Sequence, residues 1–286
     1  MKVITAVKEM RALANLWQKE SLGFVPTMGA LHKGHLSLVE ASLKENQKTV
    51  VSIFVNPLQF LPSEDFAQYP RNQKADLALL EALGVDVVFM PTALEIYPEA
   101  EKTSLIQLSK PALINTLCGL TRPGHFEGVI TILSKLFEIV HPQQVYFGQK
   151  DFQQCVVVKQ LIDDLKLNIN FRMLPTVREE DGLAMSSRNA YLIAQPRVEA
   201  CLLFESLQKI KELFEAGVKN VDELVEAGKT ILQRGKLVKI DYLEILKAKD
   251  LQKVDFLTED EYVVAVACYL GHTRLIDNIL IGHGNL

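Results

Sequence analysis

Along the first two-thirds of the chain, short apolar runs alternate with longer stretches whose apolar positions recur every three or four residues. Leu22–Val25, Thr49–Val55, Val85–Met90, Gln144–Phe147 and Asn168–Leu174 have the length and composition of buried strands. Leu36–Leu43, Asn72–Leu83, Val129–Val140 and Gln153–Leu165 carry the helical period. Strands interleaved with helices predict βαβ units and an α/β fold: a Rossmann-like, mainly parallel sheet with helices on both faces. The last third changes character. Two helical patterns, Gln195–Ala216 and Val221–Arg234, precede three strand-like runs, Ile240–Leu246, Tyr262–Tyr269 and Leu275–Ile281. Helices grouped ahead of strands predict a smaller C-terminal α+β domain. The boundary falls near Thr176–Val177, before the polar run Arg178–Asn189.

In a doubly wound parallel sheet, ligands lie beyond the carboxyl ends of the strands, near a topological switch point. The polar motifs of this chain repeatedly follow strands. After the first comes Met28-Gly29-Ala30-Leu31-His32-Lys33-Gly34-His35, leading into the amphipathic Leu36–Leu43. Its small residues let backbone approach a ligand closely, and the helix that begins there offers unpaired N–H groups to a phosphate. His32 and His35 are three residues apart, so both face one side as the helix starts. As a metal pair the H-x-x-H spacing is poor for zinc without a third ligand, and loop histidines with a purely structural part remain the plain alternative.

Three further segments fit the same task. Asn56-Pro57-Leu58-Gln59 follows the second strand, and Gly148-Gln149-Lys150-Asp151 a later one. Lys150 is a mobile point charge able to reach a phosphate, against the alternative of a surface Lys–Asp pair. In Arg178–Asn189, the hydroxyls of Ser186 and Ser187 beside Arg188 offer several donors to a triphosphate; a solvated capping loop is the bland reading. Gln59 and Gln154 carry neutral amides that both donate and accept, as a small hydroxy acid requires. Arg122-Pro123-Gly124-His125-Phe126-Glu127-Gly128 has the density of Gly and Pro expected of an ordered loop before a helix, but its chemistry is not readable from residue types. Taken together, the segments suit a site that holds ATP beside a small organic acid.

Composition narrows the setting. The 286 residues are 48% hydrophobic and 23% charged, an ordinary globular balance for one large or two moderate domains. A net charge of −4 argues against a nucleic-acid partner, which requires a basic footprint. Cys118, Cys155, Cys201 and Cys268 form no CxxC pair and read as reduced thiols. The first twenty residues carry charges throughout, unlike a signal peptide, and no window has the apolar length of a membrane span. The expectation is a cytoplasmic protein with no membrane partner.

The motifs carry a resemblance. His32-Lys33-Gly34-His35 matches the HxGH signature of the nucleotidylyltransferase superfamily, and Met185-Ser186-Ser187-Arg188 is similar to its companion KMSKS-type loop. More narrowly, PTMGALHKGH, VSIFVNPLQF, YPR, RPGHFEGV, FGQKDFQQ, GLAMSSRN and RLIDN resemble the pantothenate synthetase family, in order from Pro26 to Asn278. The resemblance implies an AMP-forming ligase that joins (R)-pantoate to β-alanine through a pantoyl-adenylate and releases pyrophosphate. Residues 1–176 would then bind ATP and pantoate, and 177–286 would form a lid domain. It implies ATP contacts from Met28, Gly29, Ala30, Leu31, His32, Lys33, Gly34 and His35. Further ATP contacts are Gly148, Gln149, Lys150, Asp151, Val177, Met185, Ser186, Ser187 and Arg188, with His35, His32, Lys150 and Arg188 catalytic. Gln59 and Gln154 would grip pantoate, and Gln59 would also lie near β-alanine. Mg²⁺ is expected between phosphate oxygens, with Asp76 one candidate but no protein ligand assigned, and the family's members imply a homodimer. The competing readings are an adenylyltransferase that leaves AMP on its product and a nucleotide-binding module without turnover.

Overall fold

The computed structural model describes residues 1–62, 64–98 and 107–282. Their contacts divide the chain into two compact units, Met1–Gly148 with Val157–Leu174, and Gln149–Val156 with Pro175–Leu286. The short segment Gln149–Val156 therefore goes with the second unit, although it precedes the Thr176–Val177 boundary read from the sequence.

The first unit contains β1 (Lys2–Ile4), α1 (Val7–Leu16), β2 (Leu22–Thr27), α2 (Lys33–Glu45), β3 (Lys48–Ile53), α3 (Gln73–Leu83) and β4 (Val87–Phe89). Two short helices follow, α4 (Ala93–Ile96) and α5 (Cys118–Thr121), then α6 (His125–Val140), β5 (Gln144–Gly148), the part of α7 (Phe152–Asp164) from Val157 onward, and β6 (Asn170–Leu174). The strands form one parallel sheet in the order β1-β4-β3-β2-β5-β6. From β2 the chain moves to β3 and β4 on one side, and only later returns to β5 on the other. The carboxyl end of β2 is thus the switch point where such sheets bind ligands.

Alternation along β2 distributes the core. Val25 packs with Leu38 and Val39 of α2 and Leu80 of α3, while its neighbour Phe24 meets Phe137 of α6 edge-on at 6.5 Å. Successive strand residues point to opposite faces, so helices cover both faces of the sheet, as the apolar runs predict.

Two features escape the apolar pattern. β1 is a three-residue edge strand, too short for a period to register. Helix α6 begins at His125, four residues before the apolar period that starts at Val129, because Gly124 adopts φ +85° and turns the chain into it.

The second unit contains α8 (Gln195–Glu199), α9 (Cys201–Glu215), α10 (Val221–Leu232), β7 (Val238–Lys247), β8 (Glu261–Leu270) and β9 (Thr273–Gly282). The three strands form an antiparallel sheet in the order β7-β8-β9, and α9 and α10 pack over it around Leu203, Leu207, Ile210 and Leu224. The single helix expected over Gln195–Ala216 is divided at Ala200. No helix among the described residues is long and apolar enough to cross a membrane.

Candidate active site

In the first unit, the turn after β2 is built on hydrogen bonds to buried side chains. Thr27 donates its hydroxyl to the Ser52 carbonyl at 2.7 Å and accepts from the Gly29 N–H at 3.2 Å. Gly29 and Ala30 both take positive φ, +82° and +51°. An alanine in that region is strained, so something must hold it there. Asp76, from α3 and 3% exposed, does so: its two oxygens accept from the N–H groups of Ala30 and Leu31 at 2.9 and 2.8 Å. Both oxygens of Asp76, a candidate Mg²⁺ ligand in the sequence, thus accept from the loop backbone.

The turn delivers the chain to His32, the N-cap of α2. The Nδ1 of His32 accepts from the Gly34 N–H at 3.2 Å, and the Nδ1 of His35 accepts from the His32 N–H at 3.4 Å. This is the reciprocal pattern of a capping box, with imidazoles in place of the usual Ser or Thr and Glu or Gln. The ring centroids lie 4.1 Å apart. With each Nδ1 accepting, a neutral ring carries its hydrogen on Nε2. The three-residue spacing therefore pairs two imidazole donors at the positive end of a helix.

Gln59 is held from several sides. Asn56, 1% exposed, caps the short 3₁₀ turn Pro57–Gln59 through Leu58 N–H and accepts from the Tyr97 hydroxyl at 2.8 Å. Its amide donates to the Gln59 side-chain oxygen at 3.1 Å and to the Gly128 carbonyl at 3.0 Å. The Gln59 amide nitrogen lies 3.1 Å from the Met28 sulfur, which brings two of the expected site residues together. The Gln59 backbone carbonyl accepts from His125 Nδ1 at 2.8 Å and from Arg122 at 3.3 Å. Arg122 forks onto Glu64 at 2.6 and 2.8 Å and lies 3.0 Å from His125 Nε2. A guanidinium has only hydrogens to offer, so His125 accepts on Nε2 and donates from Nδ1. Burial works against the Glu64 charge, but the Arg122 guanidinium outweighs it and holds the carboxyl below its ordinary range.

The Arg122–Gly128 segment, unreadable by residue type, is thus a backbone clamp on Gln59. Gly128 is what lets α6 come so close: a Cβ there would stand 2.3 Å from the Leu58 carbonyl oxygen. Gly128→Ala should lower the unfolding free energy by about 1–3 kcal/mol, the usual range for overpacking. A urea midpoint equal to that of the parent protein would contradict this contact.

The second unit carries the other cluster. Asn278 on β9, 3% exposed, donates its amide to the carbonyls of Gln149 and Lys150 at 2.9 and 2.8 Å, fixing the 3₁₀ turn Gln149–Asp151. Asp277, 4% exposed, accepts two hydrogen bonds from Arg178 at 2.6 and 3.0 Å. Burial pushes the Asp277 carboxyl up, and Arg178 pulls against it. Arg178 opens a hairpin in which Met185 N–H donates to the Val177 carbonyl at 3.0 Å, joining two expected nucleotide contacts. Arg197 fastens its tip through Glu179 and Asp181, each at 2.7 Å, and holds the Asp181 carboxyl down at about 2. After the hairpin, Ser186 caps the 3₁₀ turn Ser187–Tyr191 by accepting from the Arg188 N–H at 3.3 Å. Lys150, Ser186, Asn189 and Asp277 line one small cleft, so the expected lysine and serine share a surface. Gln154 is half-buried near the start of α7, and Gly148 closes β5 in the first unit.

Several of these side chains do not stand out in the sequence. Glu64, Arg122, His125, Asp277 and Asn278 act on backbone atoms of the expected site residues or on the groups that hold them, and residue type alone does not announce such contacts. Among the described residues, no three His, Cys, Asp or Glu side chains form a group able to hold a metal ion.

With this geometry in place, comparison with known proteins is decisive. Residues 2–280 match the family model for pantoate-beta-alanine ligase. The chain belongs to that family. A pantothenate synthetase of Thermosipho africanus is 47% identical over 283 residues, covering 98% of this chain and all of the relative. One of Thermosipho melanesiensis is 48% identical, covering 99% of this chain and all of the relative. A crystal structure of the family from Thermus thermophilus superposes with a TM-score of 0.91 at 43% identity, covering 98% of this chain and 99% of its own. The Francisella tularensis family member, crystallised with an ATP compound and β-alanine, gives 0.80 at 36% identity, covering 98% and 97%. The family match spans every site residue named above, from Met28 to Asn278.

Proposed function

We propose that this chain condenses (R)-pantoate with β-alanine, using ATP and passing through a pantoyl-adenylate. The observation that carries the reading is the match to the pantoate-beta-alanine ligase family over residues 2–280, together with paired imidazoles at a helix start beyond the switch-point strand. A pantoate carboxylate oxygen attacks the α-phosphorus, and the bond to the β-phosphate oxygen breaks to release pyrophosphate. The β-alanine nitrogen then attacks the acyl carbon, the bond to AMP breaks, and the amine gives up a proton. Such steps ask the protein for positioning and charge stabilisation more than for covalent work.

In this reading His32 and His35 donate from Nε2 to phosphate oxygens, with His35 the proton donor. The helix end beneath them and the Gly29–Leu31 turn accommodate the nucleotide, and the family resemblance assigns further ATP contacts to Lys33, Gly34, Gly148, Gln149, Asp151, Val177 and Met185. Lys150, Ser186, Ser187 and Arg188 hold the phosphates as charge moves onto pyrophosphate. Gln59 and Gln154 grip pantoate, Gln59 also lies beside the place of β-alanine, and Met28 borders the nucleotide. Among the described residues no three His, Cys, Asp or Glu side chains group into a protein cage for Mg²⁺, so this reading leaves the ion to the phosphates of ATP. The reading also takes residues 177–286 as a lid, the working state as a homodimer, and the cytoplasm as the location; four free cysteines suit a reducing compartment.

The deciding assay is exchange of labelled pyrophosphate into ATP. Exchange should require pantoate and proceed without β-alanine, and pantothenate with free AMP should form once β-alanine is added. Product still carrying AMP would favour an adenylyltransferase, and no turnover would sink both. Gln154→Ala should raise the pantoate KM by about tenfold or more, the loss of one good hydrogen bond or somewhat more, with the ATP KM within twofold. Equal weakening of both substrates would remove Gln154 from the pantoate site.

A further inference from the structure

We propose that Asp277 and Asn278 are positioning residues that lock Lys150 and the Ser186–Arg188 turn into one frame for the triphosphate. The proposal rests on the assignment of those groups to ATP. It starts from an anomaly in β9, which reads Thr-Arg-Leu-Ile-Asp-Asn-Ile-Leu-Ile-Gly. Asp and Asn are depleted in strands, yet these two sit adjacent and nearly fully buried within an otherwise apolar run. Successive strand residues point to opposite faces, so neighbouring side chains reach two different loops.

Each reaches a loop that carries expected phosphate ligands. Asn278 commits its amide hydrogens to consecutive carbonyls, Gln149 and Lys150, at 2.9 and 2.8 Å. Only a side-chain amide of this length supplies two such donors here; an isosteric carboxylate would face both carbonyls with oxygen. Asp277 grips Arg178 with both oxygens, and one of them also accepts from the Asn278 N–H at 2.7 Å. Arg178 returns a bond to the Asn278 carbonyl at 3.4 Å, donates to the Gly182 carbonyl at 3.0 Å, and lies 3.8 Å over the Phe204 ring. The two loops are therefore tied to one dipeptide, and the cleft lined by Lys150, Ser186 and Asp277 is where the tie is felt. Replacing a buried ion pair with apolar residues often leaves stability unchanged or improves it. The pair fits a demand for position better than a demand for stability.

The test is the pyrophosphate-exchange assay on Asn278→Ala, Lys150→Ala and the double variant. Asn278→Ala should lose about 10–100-fold in the exchange kcat, the effect expected of misplacing a charged group by about an ångström. Its pantoate KM should stay within twofold. Acting through Lys150, it should add little further loss in the Lys150→Ala background. Wild-type-like kcat, fully additive losses, or a matching rise in pantoate KM would each overturn the proposal. Should Asn278→Ala not fold, Asn278→Ser, which keeps one donor, is read in the same cycle against the same outcomes. Exchange by the parent protein is measured first, because its absence would strike the proposed function and not this tie.

Discussion

His35→Gln should fold like the parent protein and form pantoyl-adenylate about 100–1,000-fold more slowly, the cost of removing one donor aimed at developing charge. The choice of Gln separates two jobs that one imidazole performs. His35 stands at N3 of α2 and accepts from the His32 N–H through Nδ1. Gln at N3 is a normal capping-box partner, so its side-chain oxygen keeps that hydrogen bond. What it cannot reproduce is an Nε2–H on a rigid ring 4.1 Å from the His32 ring. His35→Ala removes both functions and should add a stability loss of about 1 kcal/mol, typical of a missing cap. Stopped-flow or exchange rates are compared with thermal unfolding for the two variants. A Gln variant that keeps its rate would reduce His35 to a helix cap.

This double duty also explains how much of the site the sequence makes legible. The apolar runs at Leu22–Val25, Thr49–Val55 and Gln144–Phe147 announce central strands because parallel strands are buried on both faces and leave long uniform signals. The polar residues just after them then fall at strand ends by connectivity alone, which is how His32, Gln59 and Lys150 come into view. Residues that act on backbone are harder to see. Gly128 looks like a loop glycine until α6 is found pressed on Leu58 and Gln59, a contact between segments about 70 residues apart. His125 and Arg122 contribute through the Gln59 carbonyl, and nothing local in Arg-Pro-Gly-His encodes that partner. Asp277 and Asn278 carry a weak local clue, polarity inside an apolar strand, but its meaning requires the loops they reach.

Asp76→Ala should cost about 3 kcal/mol of stability and most of the activity, and added Mg²⁺ should restore neither. The stability figure follows from two hydrogen bonds to a buried carboxylate, each worth about 1.5–3 kcal/mol, less the desolvation that the variant no longer bears. Without Asp76 the N–H groups of Ala30 and Leu31 lose their acceptors. The left-handed Ala30, at φ +51°, loses the restraint that holds it there. That turn sets where His32 begins α2, so its relaxation moves the imidazole pair, and an ångström of displacement is worth about 100-fold in rate. Asp76→Asn should fall between, because a carboxamide offers one acceptor oxygen and points a donor at the second N–H. A metal-ligand role makes the opposite forecast: little change in the unfolding midpoint without ligands, and rate recovered as Mg²⁺ is raised. Thermal unfolding in the absence of nucleotide, beside a Mg²⁺ titration of the exchange rate, separates a brace for the turn from a ligand to the ion.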